Sequence, residues 1–543
     1  MKPSRPQKYI YKLNSTYLDM NGYDINIDLN DAAKNSEVVI SVGHSQLLKW
    51  IEEITNTEDN YLKAENLRKE IRALKKQDST RENKKIIKQM YDDLYKLQFE
   101  PNLISVQFDK KSHFDKCCGK LVVNGRHFHR LYGTPGGLKM STVLFIDNEL
   151  YADVYKRVTN GRNLQLEYTP AKLEAYMALT SSSSNAVSFP NMIVVDGTTT
   201  HFKADVVEVR DGIESNDPIV KEIKDKDIEI EINDGCGIMT PEYSRKITQD
   251  AIGVDEVASG VCARFAFFKG MLFTFDFKEF AENVAHKHTV IDAWGDERDV
   301  RDADVIATTS QLKLWDAYDS YEDYRDSCIK NGYEFRITKV SEELDESRNL
   351  NYQFTQSYYL DDNDIDDLIS PTVDEIKDII SLDPRKSIVY LAGCGLNEDN
   401  VMKSDNVAKA LMINPDLIND PYIRSRIERM IQKRIRLAKI STIDVDGNFA
   451  LISGDPYAMC EDIFGMEVKG LLREGEIYHK FWQNKNVAQV VCMRAPMCAH
   501  FNIVKQKIKY DDKADYWFRY IKDCIILNSW DTLRIAESGA DCD

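Results

Sequence analysis

Asp227-Ile-Glu-Ile-Glu-Ile-Asn-Asp-Gly-Cys-Gly237, followed by Ile238-Met-Thr-Pro241, is the most sharply patterned stretch of this 543-residue chain. Ile228, Ile230 and Ile232 alternate with Asp227, Glu229 and Glu231, as they do on a half-exposed strand. Asp234-Gly-Cys-Gly237 then turns tightly, and Thr240-Pro241 has the chemistry of a helix cap and first helical residue. Arg264-Phe-Ala-Phe-Phe-Lys269-Gly270 follows and leads into Met271–Phe277. There Phe273, Phe275 and Phe277 point one way, which again reads as a strand. The order strand, glycine turn, helix, strand fits a small crossed barrel, although periodicity alone does not prove closure.

On the N-terminal side, residues 1–44 mix short β-like runs with polar turns, and residues 45–100 read as helices. Leu67, Ile71 and Leu74 share one helical stripe; Ile87, Met90, Leu94 and Leu97 share another. Gln77-Asp78-Ser79-Thr80 breaks them, so two antiparallel helices burying these stripes are expected, a structural arm rather than a cofactor site. Strands and loops begin at Leu103. Gly133-Thr-Pro-Gly-Gly137 lies between Arg130 and Lys139 but lacks the GxxxxGK[ST] spacing of a phosphate cradle, and a plain turn is expected. Thr169-Pro170 opens a short helix.

On the C-terminal side, residues 345–440 read as mainly helical. The acidic run Asp361–Asp367 lacks the glycine and terminal Glu of a calcium loop and is expected to be a solvated helix start. Arg424, Arg426, Arg429, Lys433, Arg434, Arg436 and Lys439 form the densest basic patch. It reads as an exposed helix face or a helix tracking a nucleic-acid backbone. Asp444-Val-Asp446-Gly447-Asn448 is expected to be the turn of a β-hairpin rather than a metal loop.

Composition narrows the class. Hydrophobic residues make up 43% of the chain, enough for several cores, and three to five structural units are expected. No stretch approaches the roughly 20 apolar residues of a membrane span, and the N-terminus has no secretory h-region. The eleven cysteines form no CxxC and are expected to be reduced, mostly buried thiols of a cytoplasmic protein. The net charge of −18 argues against a general nucleic-acid binder. It leaves room for a locally positive channel.

The sequence ends in Ser538-Gly-Ala-Asp-Cys-Asp543. Asp541 and Asp543 behind a glycine turn are hard oxygen donors of the kind that suit Mg²⁺, which takes further ligands from substrate phosphates. This ending resembles the SGGD-bulky-DGD catalytic loop of the two-barrel RNA polymerases. That superfamily includes the RNA-dependent polymerases of eukaryotic RNA silencing and the single-chain DNA-dependent RNA polymerases of bacteriophages. Other segments resemble it in the same order. Asp234-Gly-Cys-Gly237 is similar to its SDGxG turn. Arg264–Gly270 is similar to its R-x-G-G-x-K-G segment, with both internal glycines replaced. Thr309-Ser310-Gln-Leu-Lys313 resembles RPSMxKF without the Arg-Pro. Met493-Arg494-Ala495-Pro496-Met497 resembles the RxP strand, and Cys524-Ile-Ile-Leu527 the strand before the catalytic loop. The likeness covers roughly residues 190–543.

The resemblance implies an α+β multidomain chain with two double-psi β-barrels, a helical N-terminal arm and a helical connector. The expected division is 1–110 for the arm-bearing region, 111–227 for a mixed α/β domain, and 228–345 for the first barrel. Residues 346–440 would be the connector and 441–543 the second barrel, incomplete at its catalytic loop. The implied reaction is template-directed RNA synthesis by a two-metal mechanism, with NTPs and a template as partners and RNA as product. Asp541 and Asp543 would ligate Mg²⁺, and Lys269 would neutralise the incoming triphosphate or the growing end. Arg264, Lys313 and Arg494 would contact phosphate or backbone. The family loop continues with Gly and a third Asp, so the chain alone is expected to be catalytically impaired and to need a complementary C-terminal piece. The acidic single chain and its helical arm resemble the phage group, which implies a DNA template and a host-cell cytoplasm. The alternatives are an RNA template, a non-catalytic nucleic-acid-binding or assembly fragment, and a phage structural protein.

Overall fold

A computed structural model describes residues 7–32, 38–76, 80–133, 141–210, 218–392, 405–537 and 539–542. Among them, seven strands from Gln7–Asn14 to Thr142–Asp147 form one mixed sheet. Alternation along those strands sends Tyr11, Leu13, Ile104, Val106, Val143 and Phe145 into one core. Between its strands run α1 (Asn60–Leu74) and α2 (Arg81–Gln98). The two apolar stripes meet as expected: Leu67 and Ile71 pack with Ile87, Met90, Leu94 and Leu97. The Thr80 hydroxyl accepts the Asn83 N–H at 3.1 Å and starts α2. The rest of the expected break, residues 77–79, and most of the Gly133–Gly137 loop lie outside the described residues.

A second seven-stranded sheet carries the patterned stretch. Its members are β1 (Asn185–Val187), β2 (Met192–Val195), β5 (Cys236–Met239), β6 (Gly260–Phe265), β7 (Phe268–Thr274), β8 (Val305–Thr308) and β9 (Phe335–Val340). They lie in the order β1-β9-β6-β7-β5-β8-β2. The alternating isoleucines belong to a long hairpin, β3 (Thr199–Arg210) and β4 (Ile219–Glu231), whose second strand runs straight into the glycine turn. Thr240 caps α3 (Pro241–Ile252), accepting the Tyr243 N–H at 3.2 Å.

The two faces of this sheet enter different cores. Val261, Ala263, Phe265, Phe268 and Leu272 join the core shared with the N-terminal unit. Cys262, Met271 and Phe273 join a core completed by Tyr457, Met459, Trp517, Ile526 and Cys542. Those last residues surround a third sheet, made of β10 (Leu451–Ser453), β11 (Glu476–Tyr478), β12 (Gln489–Met493), β13 (Ile503–Ile508) and β14 (Cys524–Leu527). Its order is β10-β14-β11-β13-β12, with parallel and antiparallel neighbours mixed. The N-terminal unit is fixed to the second sheet by polar contacts. Arg336, 1% exposed, donates to the hydroxyl and the carbonyl of Ser184, both at 2.9 Å, and bonds His44 at 3.0 Å. A buried guanidinium is tolerated only with such partners.

Three expectations need correction. The strand through Phe273 stops at Thr274, because Asp276 accepts the Glu279 N–H and turns Phe277–Phe280 into a helix. All three phenylalanines are nonetheless fully buried. Asp444–Asp446 is not a hairpin arm; it pairs with Ser347–Asn349, far upstream, and a period-two pattern cannot name its partner. The basic patch is divided. In α5 (Pro421–Ala438), Arg434 is buried, bonded to Glu375 and Asp444, and Arg426 pairs with Asp405. Arg424, Arg429, Lys433 and Arg436 remain exposed, as does Lys439 just beyond the helix. The acidic run behaves as expected: Asp361 and Asp364 form a reciprocal cap at the start of α4 (Asp362–Ile380). No helix among the described residues is long and apolar enough to cross a membrane.

The seam between the second and third sheets is tightest at Gly454, where an added Cβ would lie 2.0 Å from the Ile232 carbonyl oxygen. Gly454→Ala should cost about 2 kcal/mol by overpacking a backbone contact. Gly447→Ala, where a Cβ meets nothing within 4 Å, should not. Urea unfolding of the two variants checks this, and equal midpoints would refute the seam as drawn.

Candidate active site

The seam gathers the glycine turn of the second sheet and the aspartate loop that follows the third. The Cys542 N–H donates to the Asp234 carbonyl at 3.0 Å. Arg534, on the short helix α6 (Leu533–Ala536), holds both sides. Its Nε donates to the Ala540 carbonyl at 3.1 Å, its Nη1 to the carbonyls of Glu231 and Ile232, and its Nη2 to the Cys542 thiol at 3.1 Å. Burial works against this charge. The neighbouring Cys542, Cys236, Asp234 and Asp541 outweigh it and hold the guanidinium above its ordinary range. Arg534 thereby fixes the chain immediately before and after Asp541.

Lys269 reaches the same seam along β7. Its N–H donates to the Gln311 carbonyl at 3.0 Å. Two residues on, the Met271 N–H donates to the Gly235 carbonyl at 2.9 Å. Gly270 permits this approach, since a Cβ there would stand 2.4 Å from that carbonyl oxygen. Strand alternation places Lys269 on the face of Met271 and Phe273, the face turned toward the third sheet. Arg264 is its direct cross-strand partner, so two cations stand opposite each other. Like charges directly opposite each other weaken a strand pair unless neighbouring groups compensate. The Nε of Arg264 is buried with no hydrogen-bond partner among the described residues.

Glu231 and Asp234 lie beside the turn. Glu231 is half-buried, and burial followed by the nearby Asp234 pushes its carboxyl up; Ser310, Lys313 and Arg534 pull it down. Its Oε1 is buried without a hydrogen-bond partner among the described residues. Gly235 donates its N–H to the Ser310 hydroxyl at 3.0 Å, and the fully buried Gln311 donates to the Met271 carbonyl at 2.8 Å. Ser310-Gln311-Lys313 thus buttresses the turn. Lys313 itself donates its backbone N–H to the Phe267 carbonyl. Glu231 thus has one acid, Asp234, and two bases, Lys313 and Arg534, around its carboxyl. No cluster of three metal-binding side chains occurs among the described residues. Asp543 lies outside them.

Arg494 is differently engaged. Its Nη1 donates to the Glu537 carbonyl at 3.2 Å, so it braces the turn after α6. Sequence reading missed Arg534, Glu231 and Gln311. Arg534 gave no periodic signal, and its partners are mostly backbone carbonyls. Glu231 was visible only as the polar half of an alternating strand.

Two mixed sheets meeting at a cation-bearing strand and a carboxylate loop define an RNA polymerase fold with two curled half-barrels. The family model described as RNA dependent RNA polymerase matches residues 41–543, and the chain belongs to that family. It is 30% identical over 358 residues to the DNA-directed RNA polymerase YonO of Bacillus phage SPbeta, covering 64% of this chain and 39% of the phage protein. The RNA dependent RNA polymerase QDE-1 from Thielavia terrestris superposes with a TM-score of 0.51 at 17% identity, over 81% of this chain and 48% of that one. That likeness supports the double-psi barrel fold. The chain thus spans less than half the length of either relative.

Arg534→Met should leave backbone carbonyls unsatisfied and cost about 3 kcal/mol. It should also speed maleimide labelling of Cys542, with Arg534→Lys intermediate; unchanged labelling would dismiss the clamp. Glu537, buried beside the same helix, has its carboxyl pushed up to about 7 by burial, against the pull of Arg494 and Arg534. A raised carboxyl favours the folded state while protonated. Its contribution is complete below about pH 4.5 and is lost as the pH rises through about 7. Glu537→Gln should flatten that decline in melting temperature between pH 5 and 8.

Proposed function

We propose that this chain forms the nucleotidyl-transfer site of a template-directed RNA polymerase, acting on NTPs with a nucleic-acid template. The observation that carries this reading is the docking of the Asp541 loop on the Asp234 turn, next to the strand that bears Lys269. Asp541, with Asp543, would hold Mg²⁺. The metal, when bound, supplies activation of the RNA 3′-hydroxyl and stabilisation of the pyrophosphate leaving group. Lys269 and Arg264 meet the triphosphate with fixed positive charge, which is worth most where charge builds up during transfer. Lys313 adds to the same field, and Arg494 acts by bracing the Glu537 turn. The Arg534 clamp keeps the carboxylate loop in place without touching substrate. Exposed Arg429, Lys433 and Arg436 on α5 offer a separate surface for backbone phosphates.

DNA is the favoured template. The relative named as DNA-directed is the one with 30% identity, whereas the RNA-dependent one shares 17%. Its phage origin favours a host-cell cytoplasm. A second reading is a nucleic-acid-binding part of a longer polymerase that needs further chain to act, favoured by the 39% of the phage relative that is matched.

Incorporation of labelled NTPs on DNA and RNA templates, run in parallel, tests both readings. Asp541→Ala should abolish incorporation, and Lys269→Ala should lower it about 100-fold or more. Full activity of both variants would remove the site assignment. Template binding with no incorporation under any condition would favour the second reading.

A further inference from the structure

The α1–α2 pair, like α5, is basic in an acidic chain. Residues 60–98 hold eleven Lys and Arg against six Asp and Glu, in a chain of net charge −18. The cations gather at one end. Arg72, Lys75 and Lys76 close α1, Arg81, Lys84, Lys85 and Lys88 open α2, and all seven are exposed. The opposite end is seated on the N-terminal sheet, where Gln98 donates to the Gln7 carbonyl at 3.0 Å and Tyr95 packs against Tyr9. The cationic end is therefore a surface separate from the Asp541–Lys269 seam.

This arrangement works against the fold that displays it. Cations in the first turns of α2 oppose the helix dipole, at about 0.3–1 kcal/mol each. Arg81 and Lys85, and likewise Lys84 and Lys88, are like charges four residues apart, which repel across one turn. Glu82 is the sole acid in the first turn of α2. The helices associate through the leucine, isoleucine and methionine seam, to which Lys75 adds by donating to the Tyr91 hydroxyl of α2 at 2.8 Å. Ion pairs such as Glu65–Arg68 and Asp93–Lys96 sit nearer the seated end. A self-repelling cationic surface on an otherwise acidic protein is relieved by a dense polyanion. From Arg81 to Lys88 α2 rises about 10 Å, a length over which a duplex presents about six phosphates. Few protein surfaces reach that charge density.

We propose that the exposed cations at the Lys76 and Arg81 end of the α1–α2 pair grip the phosphate backbone of a nucleic-acid duplex outside the catalytic seam, without reading its sequence. The assignment rests on the polymerase reading, which supplies the duplex. The test uses the whole chain and a variant with Lys76, Arg81, Lys84, Lys85 and Lys88 all changed to Gln. Binding of a labelled 30-base-pair duplex is followed by fluorescence anisotropy across a salt series. The variant should bind at least tenfold more weakly at 0.1 M salt, and its slope of log affinity against log salt should fall by about 3 to 4. Its melting temperature should be equal or higher, since repulsion is removed; this separates lost contacts from lost folding. An unchanged slope and affinity, or no duplex binding by the parent chain, would overturn the proposal. So would competition by polyglutamate as effective as by unlabelled duplex, which would point to an acidic protein partner. NTP incorporation measured on the same preparations keeps the two claims apart. Cation-dependent duplex binding without incorporation counts against the polymerase reading and for the grip. Incorporation with indifferent binding does the reverse.

Discussion

One buried guanidinium ties the molecule's chemistry to its architecture. Arg534 donates to carbonyls of Glu231 and Ile232 on one side and of Ala540 on the other, and reaches the Cys542 thiol. Its partners come from elements about 300 residues apart in sequence. Because burial disfavours the charge, it persists only while both halves are in place to satisfy it. The seam around it must be close-packed for the same reason. Gly454 and Gly270 each admit a backbone oxygen where a side chain would not fit. Geometry at the Asp541 loop is consequently a property of two sheets held together, and neither supplies it alone.

The electrostatics follow from that closeness. Asp234 and Asp541 lie within electrostatic reach of Arg534, Lys313 and Arg534 stand beside Glu231, and Arg264 pairs across the strands with Lys269. Acids and bases are therefore interleaved around the loop rather than segregated.

Much of this was legible in the sequence, for identifiable reasons. Asp234-Gly-Cys-Gly237 stood out because a close-approach turn demands glycine, and Lys269 only through the likeness of Arg264–Gly270 to the family's segment. The α1–α2 pairing followed from two clean stripes. Arg534 was hidden because backbone acceptors leave no mark on sequence. Asp444–Asp446 was misread because strand pattern says nothing about partner. The division of the α5 charges was available in principle. Arg434 continues the buried stripe Ile423, Ile427 and Ile431 at helical spacing, so its burial could have been read from its place in that row.

The shared core beneath the seam has a consequence for biosynthesis. Phe273, Phe275, Phe277 and Phe280 are covered by Tyr457, Trp517 and other residues made some two hundred positions later. A ribosome that has released the first of these has not yet produced their cover. Until it does, that apolar surface is exposed, the condition under which folding intermediates aggregate. The seam around Arg534 thus closes only after Cys542 has been made.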